Sequence, residues 1–151
     1  MRLTIQLLQY RGLIACMLLI TSLAMSSCST DSDDDDEQMI EYSGTFIPAN
    51  DNVTTSASGT TSATLNQDTR EITYDVEWQG LTTPVSNMHF HDDGPVIHGI
   101  DGWDEATSGS VSGTVTFSAD EVTDLEAGDV YVMIHTQEYP GGEVIAILTV
   151  D

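Results

Sequence analysis

The sequence predicts an all-β fold, a sandwich of two sheets with one short helical turn. Two observations support this prediction: short stretches of alternating apolar and polar residues recur along the chain, and turn-forming residues separate them about every 8–12 positions. The segment that shows this pattern, residues 42–151, has the usual length of one domain.

The clearest strand is predicted at residues 70–79, because apolar side chains alternate there with polar ones and one face can point inward. The apolar positions are Ile72, Tyr74, Val76 and Trp78. Residues 66–69 are predicted as the hairpin turn that precedes this strand. Further strands are predicted near residues 42–47, 57–65, 85–91, 110–117, 129–136 and 143–150.

One short helix is predicted after residue 117. Ser118 and Glu121 have the spacing of a capping box, and Val122 and Leu125 follow at helical separation. We expect one or two turns. Residues 92–108 have no clean period and are predicted to form a loop, where functional residues are often found.

Residues 1–27 have the three-part build of a secretory signal: Arg2 and Arg11, an apolar run at 13–25, and small residues before Cys28. The run is about 13 residues long, whereas a membrane-spanning helix needs about 20. Small residues directly before a cysteine resemble a bacterial lipobox, which implies that Cys28 is lipidated and becomes the first mature residue. Cys16 is rejected as the lipidation site because the apolar run continues behind it.

The mature chain would then hold one cysteine, and that one carries lipid. A disulfide, a redox motif and a thiolate zinc site are therefore not expected. Residues 28–41 are predicted to be a solvated acidic tether, because 32–37 are polar and mostly acidic. An acidic stretch after the lipidated cysteine resembles the surface-export signal of Bacteroidota lipoproteins, so we expect display outside the outer membrane. The alternative is an anchor that faces the periplasm.

The charge of the mature chain excludes several kinds of partner. All 25 acidic residues follow Cys28, and Arg70 is the single cation there, which gives a formal charge of −24. Proteins bind nucleic acids by neutralising phosphates with Lys and Arg, so nucleic acid is excluded as a partner. Anionic substrates are disfavoured for the same reason.

Residues 42–150 resemble the CHRD domain, a module named from chordin and found in secreted bacterial proteins. The motifs that carry the resemblance are the stretch 55–60 ahead of a strand, His-x-His at 89–91, Tyr-Val-x-x-His-Thr at 131–136 and Pro-Gly-Gly-Glu at 140–143. The predicted architecture is a Greek-key β-sandwich of the immunoglobulin-like or superoxide-dismutase-like type. The resemblance defines the fold better than the role.

The four histidines are the candidate metal ligands: His89, His91, His98 and His135. Residues i and i+2 of a strand point to one face about 6.5–7 Å apart, so His89 and His91 can converge on one ion. His135 completes a three-imidazole site if its strand lies alongside, and His98 is a candidate fourth ligand. Imidazoles without thiolate favour copper or zinc. The spacing is similar to that of Cu/Zn superoxide dismutase.

Other interpretations stay open at this point. The histidines can be packing residues beside Trp103 or Tyr139, and the acidic residues between 92 and 105 can bind calcium, although they lack EF-hand spacing. No nucleophile elbow, phosphate loop or dinucleotide fingerprint is present. We therefore expect a binding module and not an enzyme, either with copper or zinc or as a metal-free domain that contacts a protein or glycan. A copper-dependent dismutase is the third alternative.

Overall fold

The computed structural model describes residues 38–151. Within this range the chain forms ten strands and one helix, and none of its helices is long and apolar enough to cross a membrane. The predictions for the signal segment, for Cys28 and for the tether up to residue 37 lie outside the described residues. The elements are β1 (Met39–Thr45), β2 (Ile47–Pro48), β3 (Ser58–Asn66), β4 (Glu71–Gln79), β5 (Val85–Asp92), β6 (Val96–Gly99), β7 (Gly109–Thr116), α1 (Ala119–Ala127), β8 (Val130–Thr136), β9 (Val144–Ile147) and β10 (Thr149–Val150).

The strands form two five-stranded antiparallel sheets, in the orders β10-β1-β3-β4-β7 and β2-β9-β8-β5-β6. The prediction of an all-β sandwich is confirmed. β4 shows the predicted alternation in full, since every second residue from Ile72 to Trp78 is buried. Full burial of a side chain such as Ile72 contributes about 1.5–3 kcal/mol.

Aromatic rings join the two sheets across the core. Phe90 of β5 meets Tyr74 of β4 edge to face, with ring centroids 5.2 Å apart, and meets Phe117 at 5.7 Å. Edge-to-face contacts of this kind add about 0.5–1.5 kcal/mol beyond area burial. Phe90 therefore fixes the inner face of β5, and its neighbours in the chain point outward.

Four boundaries differ from the predictions. The predicted strand 42–47 is divided into β1 and β2, which belong to different sheets. β1 begins at Met39, because residues 39–41 pair with β3 in a ladder that starts at Met39 opposite Asn66. These residues belong to the sandwich and not to the tether. β6 lies inside the predicted loop 92–108, and the predicted last strand is divided into β9 and β10. Strands of two to four residues are too short for alternation to reveal them.

α1 is nine residues long, about two and a half turns, and so longer than predicted. The predicted capping box is present: the Ser118 hydroxyl accepts from the Glu121 N–H, and the Glu121 carboxylate accepts from the Ser118 N–H. Leu125 is buried in the core, and Gly128 ends the helix in a left-handed conformation with φ 83°. β8 begins two residues later.

Candidate metal centre

Three of the four histidines lie on the outer face of the second sheet. Met88 and Phe90 of β5 are buried in the core, so His89 and His91 point to the opposite face. The neighbouring strand β8 buries its even-numbered residues from Val130 to Thr136, which places His135 on that outer face as well. The strict alternation of the two strands thus brings the histidines to one surface.

The register between β5 and β8 then brings the imidazoles together. His89 lies opposite Met133, His91 opposite Tyr131, and His135 opposite Asn87. The His89 ring centroid is 5.1 Å from that of His135 and 5.7 Å from that of His91. Each of the three rings offers one nitrogen, and these three atoms all lie within 4.8 Å of one another. Among residues 38–151 this is the group of His, Cys, Asp and Glu side chains that converges like a metal site.

Backbone carbonyls fix the tautomers of two of the rings. His91 Nδ1 donates to the Gly94 carbonyl at 2.8 Å, and His135 Nδ1 donates to the Pro140 carbonyl at 3.0 Å. A carbonyl only accepts, so the proton is on Nδ1 and the lone pair of each neutral ring is on Nε2. Metal-binding histidines are typically oriented by a hydrogen bond from the other ring nitrogen in this way.

His91 Nε2 is a buried nitrogen without a hydrogen-bond partner among the described residues. The side chain is only 6% exposed, and its ring stacks on Tyr131 with the two planes 6° apart. An unsatisfied buried polar atom costs about 1–3 kcal/mol. A bound ion would satisfy this lone pair.

The nitrogens of His89 and His135 that face each other are separated by a distance that one metal ion can bridge. His89 Nδ1 and His135 Nε2 are 3.2 Å apart. Two nitrogens each about 2.0–2.1 Å from one ion would subtend about 100° at that separation, close to a tetrahedral angle. Without an ion the same two atoms form a hydrogen bond, with His89 as the donor because His135 Nε2 carries the lone pair.

Burial favours the neutral, ligand-competent form of the two partly exposed rings. The pKa of His89 is lowered by burial and then by the charges of His135 and His91, against a smaller opposing effect of Asp101. The pKa of His135 is lowered by burial and by His91, although its bond to Pro140 acts in the opposite direction. Neutral imidazole is the form that binds metals.

A buried carboxylate, Glu143, holds the loop that supplies the Pro140 carbonyl. Its side chain is fully buried and accepts four hydrogen bonds: from Thr55 Oγ1 at 2.6 Å, from the N–H and Oγ1 of Thr82 at 2.9 and 2.8 Å, and from Thr136 Oγ1 at 2.8 Å. Burial alone would raise the pKa of Glu143, but these bonds outweigh it and lower the pKa. Thr136 directly follows His135, so this network fixes both ends of the loop after β8.

The structure does not bring His98 into the group. His98 lies opposite Phe90 in the pairing of β5 with β6, and cross-strand partners point to the same face, which here is the inner one. Its ring stacks on Phe117 at 5.1 Å, and its Nε2 lies 3.1 Å from Glu121 Oε2. The prediction of a shared site failed for His98 because the segment that bears it is a strand and not a free loop.

The two aromatic residues considered as packing partners of the histidines, Trp103 and Tyr139, donate hydrogen bonds to backbone carbonyls. The aromatic residue beside His91 is Tyr131, whereas Trp103 donates to the Ile100 carbonyl and Tyr139 donates to the Thr54 carbonyl. Among residues 38–151 the acidic side chains considered for calcium form no converging group of three, since the converging group consists of the three histidines.

Sequence reasoning missed Glu143 and the two carbonyl groups. Glu143 belongs to the Pro-Gly-Gly-Glu motif that carries the family resemblance. It directly precedes the apolar strand β9, so its carboxylate lies where the chain enters the core. That placement is the signal that could have identified it. The carbonyl groups of Gly94 and Pro140 have no side-chain signature, and only the folded loops show them.

The CHRD domain model matches residues 41–145, which include every strand from β3 to β8 and all four histidines. This chain belongs to the CHRD family. No curated protein and no solved structure matches it. The resemblance inferred from the sequence motifs is therefore confirmed, and the CHRD domain carries the histidine group within its matched range.

Proposed function

We propose that this CHRD domain is a metal-binding module that holds one copper or zinc ion through His89 Nδ1, His91 Nε2 and His135 Nε2. The fully nitrogenous donor set favours these two metals over calcium or magnesium, which prefer oxygen. The donors come from two adjacent strands of one sheet, so an ion would need the His89 proton to move from Nδ1 to Nε2 but no change in the strand register.

One observation supports this proposal most strongly: the buried Nε2 of His91 has no partner among the described residues, although its Nδ1 is fixed by Gly94. A histidine retained for packing alone would leave this nitrogen unsatisfied at a cost of about 1–3 kcal/mol. An ion at the centre of the three nitrogens removes that cost. It would also replace the hydrogen bond between His89 and His135 with three metal–nitrogen bonds, and the proton of His89 Nδ1 would move to Nε2 of the same ring.

The direct test is titration of the purified protein with Cu(II) and with Zn(II), followed by competition with a chelator of known affinity. We expect one ion per chain and a Kd below about 1 μM for at least one of the two metals. A Kd above that value for both metals would contradict the proposal.

His98→Gln is a matched control for this titration. His98 lies on the opposite face of the sheet, so we expect the variant to bind the ion with unchanged stoichiometry and affinity. Glutamine preserves a polar group that can reach Glu121. A large loss of affinity in this variant would show that His98 is a ligand and that the site differs from the one proposed.

We also propose that the protein is a lipoprotein anchored at Cys28 in the outer membrane and exposed at the cell surface. The signal-like segment before Cys28 and the acidic residues at 32–37 support this location. We expect Cys28→Ala to abolish incorporation of labelled palmitate and to move the protein from the membrane fraction to the soluble fraction. Unchanged palmitate labelling of the variant would refute the lipid anchor at Cys28. If protease added to intact cells leaves the parent protein uncleaved, surface display would be refuted.

We propose a binding role without catalytic turnover. The mature chain has 25 acidic residues and the single cation Arg70, and this negative field opposes the approach of an anion such as superoxide. Arg70 itself is committed elsewhere, since its Nε donates to the Phe117 carbonyl at 3.2 Å.

A further inference from the structure

We propose that Met133 supplies a thioether ligand to the ion at this centre and thereby selects copper, as Cu(I), over zinc. The proposal rests on the metal-binding function above and goes beyond it, because it adds a fourth donor and names the metal. Sequence reasoning did not single out this residue.

The strand register places Met133 in the middle of the site. Met133 lies directly opposite His89, and on its own strand it stands between Tyr131 and His135 on the outer face. The cross-strand pairs that contain His91 and His135 lie on either side of the Met133–His89 pair. The ring centroids of His91 and His135 are nevertheless only 5.9 Å apart. The two rings must therefore lean toward each other over the Met133–His89 pair.

The thioether of Met133 lies beside Gly142 in this structure. A Cβ atom on Gly142 would collide with the Met133 sulfur and its methyl group, so the lack of a side chain at Gly142 makes room for the thioether. Gly142 has φ 111°, a conformation that other residues rarely adopt. Met133 also lines a surface cavity of about 300 Å³ together with Tyr131, Ile145 and Ile147. Methionine has three rotatable bonds, so we infer that side-chain rotation alone would carry the sulfur from its place beside Gly142 to the ion.

The chemistry of the donors determines the choice of metal. Thioether sulfur is a soft ligand that favours Cu(I), whereas zinc sites in proteins use nitrogen, thiolate or carboxylate ligands. Three neutral imidazoles and one thioether bring no negative charge to the ion, which suits a monovalent cation. We therefore expect the thioether to strengthen Cu(I) binding and to leave Zn(II) binding unchanged.

The test compares Met133→Leu with Met88→Leu in the purified full chain. Leucine replaces the volume of methionine without the sulfur, and Met88 is a fully buried methionine of the adjacent strand whose side chain points to the inner face. Cu(I) affinity is measured under anaerobic reducing conditions against a chromophoric Cu(I) chelator, and Zn(II) affinity is measured in parallel. X-ray absorption at the copper edge reports whether sulfur is bound.

We expect Met133→Leu to lower Cu(I) affinity at least 10-fold, to remove the sulfur signal and to leave Zn(II) affinity within twofold, while Met88→Leu changes none of these. Unchanged Cu(I) affinity in Met133→Leu would overturn the inference, and so would an equal loss for Zn(II) or for Met88→Leu, which would indicate distortion. In each of these cases the parent protein still binds metal and the proposed function stands. A parent protein that binds neither ion would refute the proposed function itself.

Discussion

His91→Phe is expected to lower metal affinity by at least about 100-fold while the folded domain keeps its stability. Loss of an outer-shell partner alone typically costs 10–100-fold in affinity, and this variant removes a ligand. Phenylalanine keeps the ring that stacks on Tyr131 at 5.2 Å. It also removes the buried Nε2 that has no partner among the described residues. The Gly94 carbonyl is left at an exposed turn, where water can replace the lost donor.

The His91→Phe variant distinguishes a role of His91 as a metal ligand from a role in packing alone. If His91 serves only to pack, metal binding does not depend on it. Metal affinity is measured by chelator competition, and the free energy of unfolding of the metal-free protein is measured by urea denaturation. A variant that binds copper and zinc as the parent does would remove His91 from the site. A loss of more than about 2 kcal/mol of stability would show that the fold depends on the imidazole itself.

Glu143→Ala is expected to cost about 3–5 kcal/mol of folding free energy, because several buried donors lose their acceptor at about 1–3 kcal/mol each; this is a large part of the stability of about 5–15 kcal/mol that is usual for a domain. The four donors that now reach the carboxylate would lose their acceptor, and three of them are threonine hydroxyls. Glu143→Gln keeps the shape of the side chain and removes the charge, so we expect a smaller cost of about 2 kcal/mol. Urea denaturation at neutral pH measures both changes. Values below 1 kcal/mol for both variants would mean that the network does not stabilise the fold.

The same network predicts a pH dependence. The folded-state pKa of Glu143 lies below its ordinary value of 4.5, so the unfolded chain takes up this proton first as the pH falls. The stability contributed by the carboxylate is complete above about pH 4.5 and is lost as the pH falls through the folded-state pKa. The difference in unfolding free energy between the parent and Glu143→Gln should therefore shrink below pH 4.5. A difference that stays constant from pH 7 to pH 3 would contradict the assignment.

The sequence predicted those elements whose pattern of apolar and polar residues extends over enough positions to be recognised. β4 alternates over nine residues and was located within one residue at its start, whereas β2 and β6 have two and four residues and were missed. The Ser118 capping box was found because it depends on two side chains at a fixed spacing. The length of α1 was underestimated, because its packing through Leu125 and its end at Gly128 depend on tertiary contacts.

The candidate site was predicted in part. His89 and His91 share a face by the geometry of any strand, so the sequence was sufficient for that pair. His98 was grouped with them only because its segment was taken for a loop. Pairing of β6 with β5 sends His98 to the inner face, where it contacts Phe117 and Glu121. A local pattern cannot decide which of two faces a short edge strand presents.

The sequence by itself determined that this protein carries one acidic, all-β CHRD domain whose candidate chemistry belongs to its histidines. Composition, alternation and motif order are local properties, and they are read without knowledge of which strands are neighbours. Only the tertiary structure decided that His135 joins His89 and His91, that Met133 lies opposite His89, and that Glu143 fixes the adjoining loop. These relations depend on the register between β5 and β8, which is set by burial of their inner faces in the shared core.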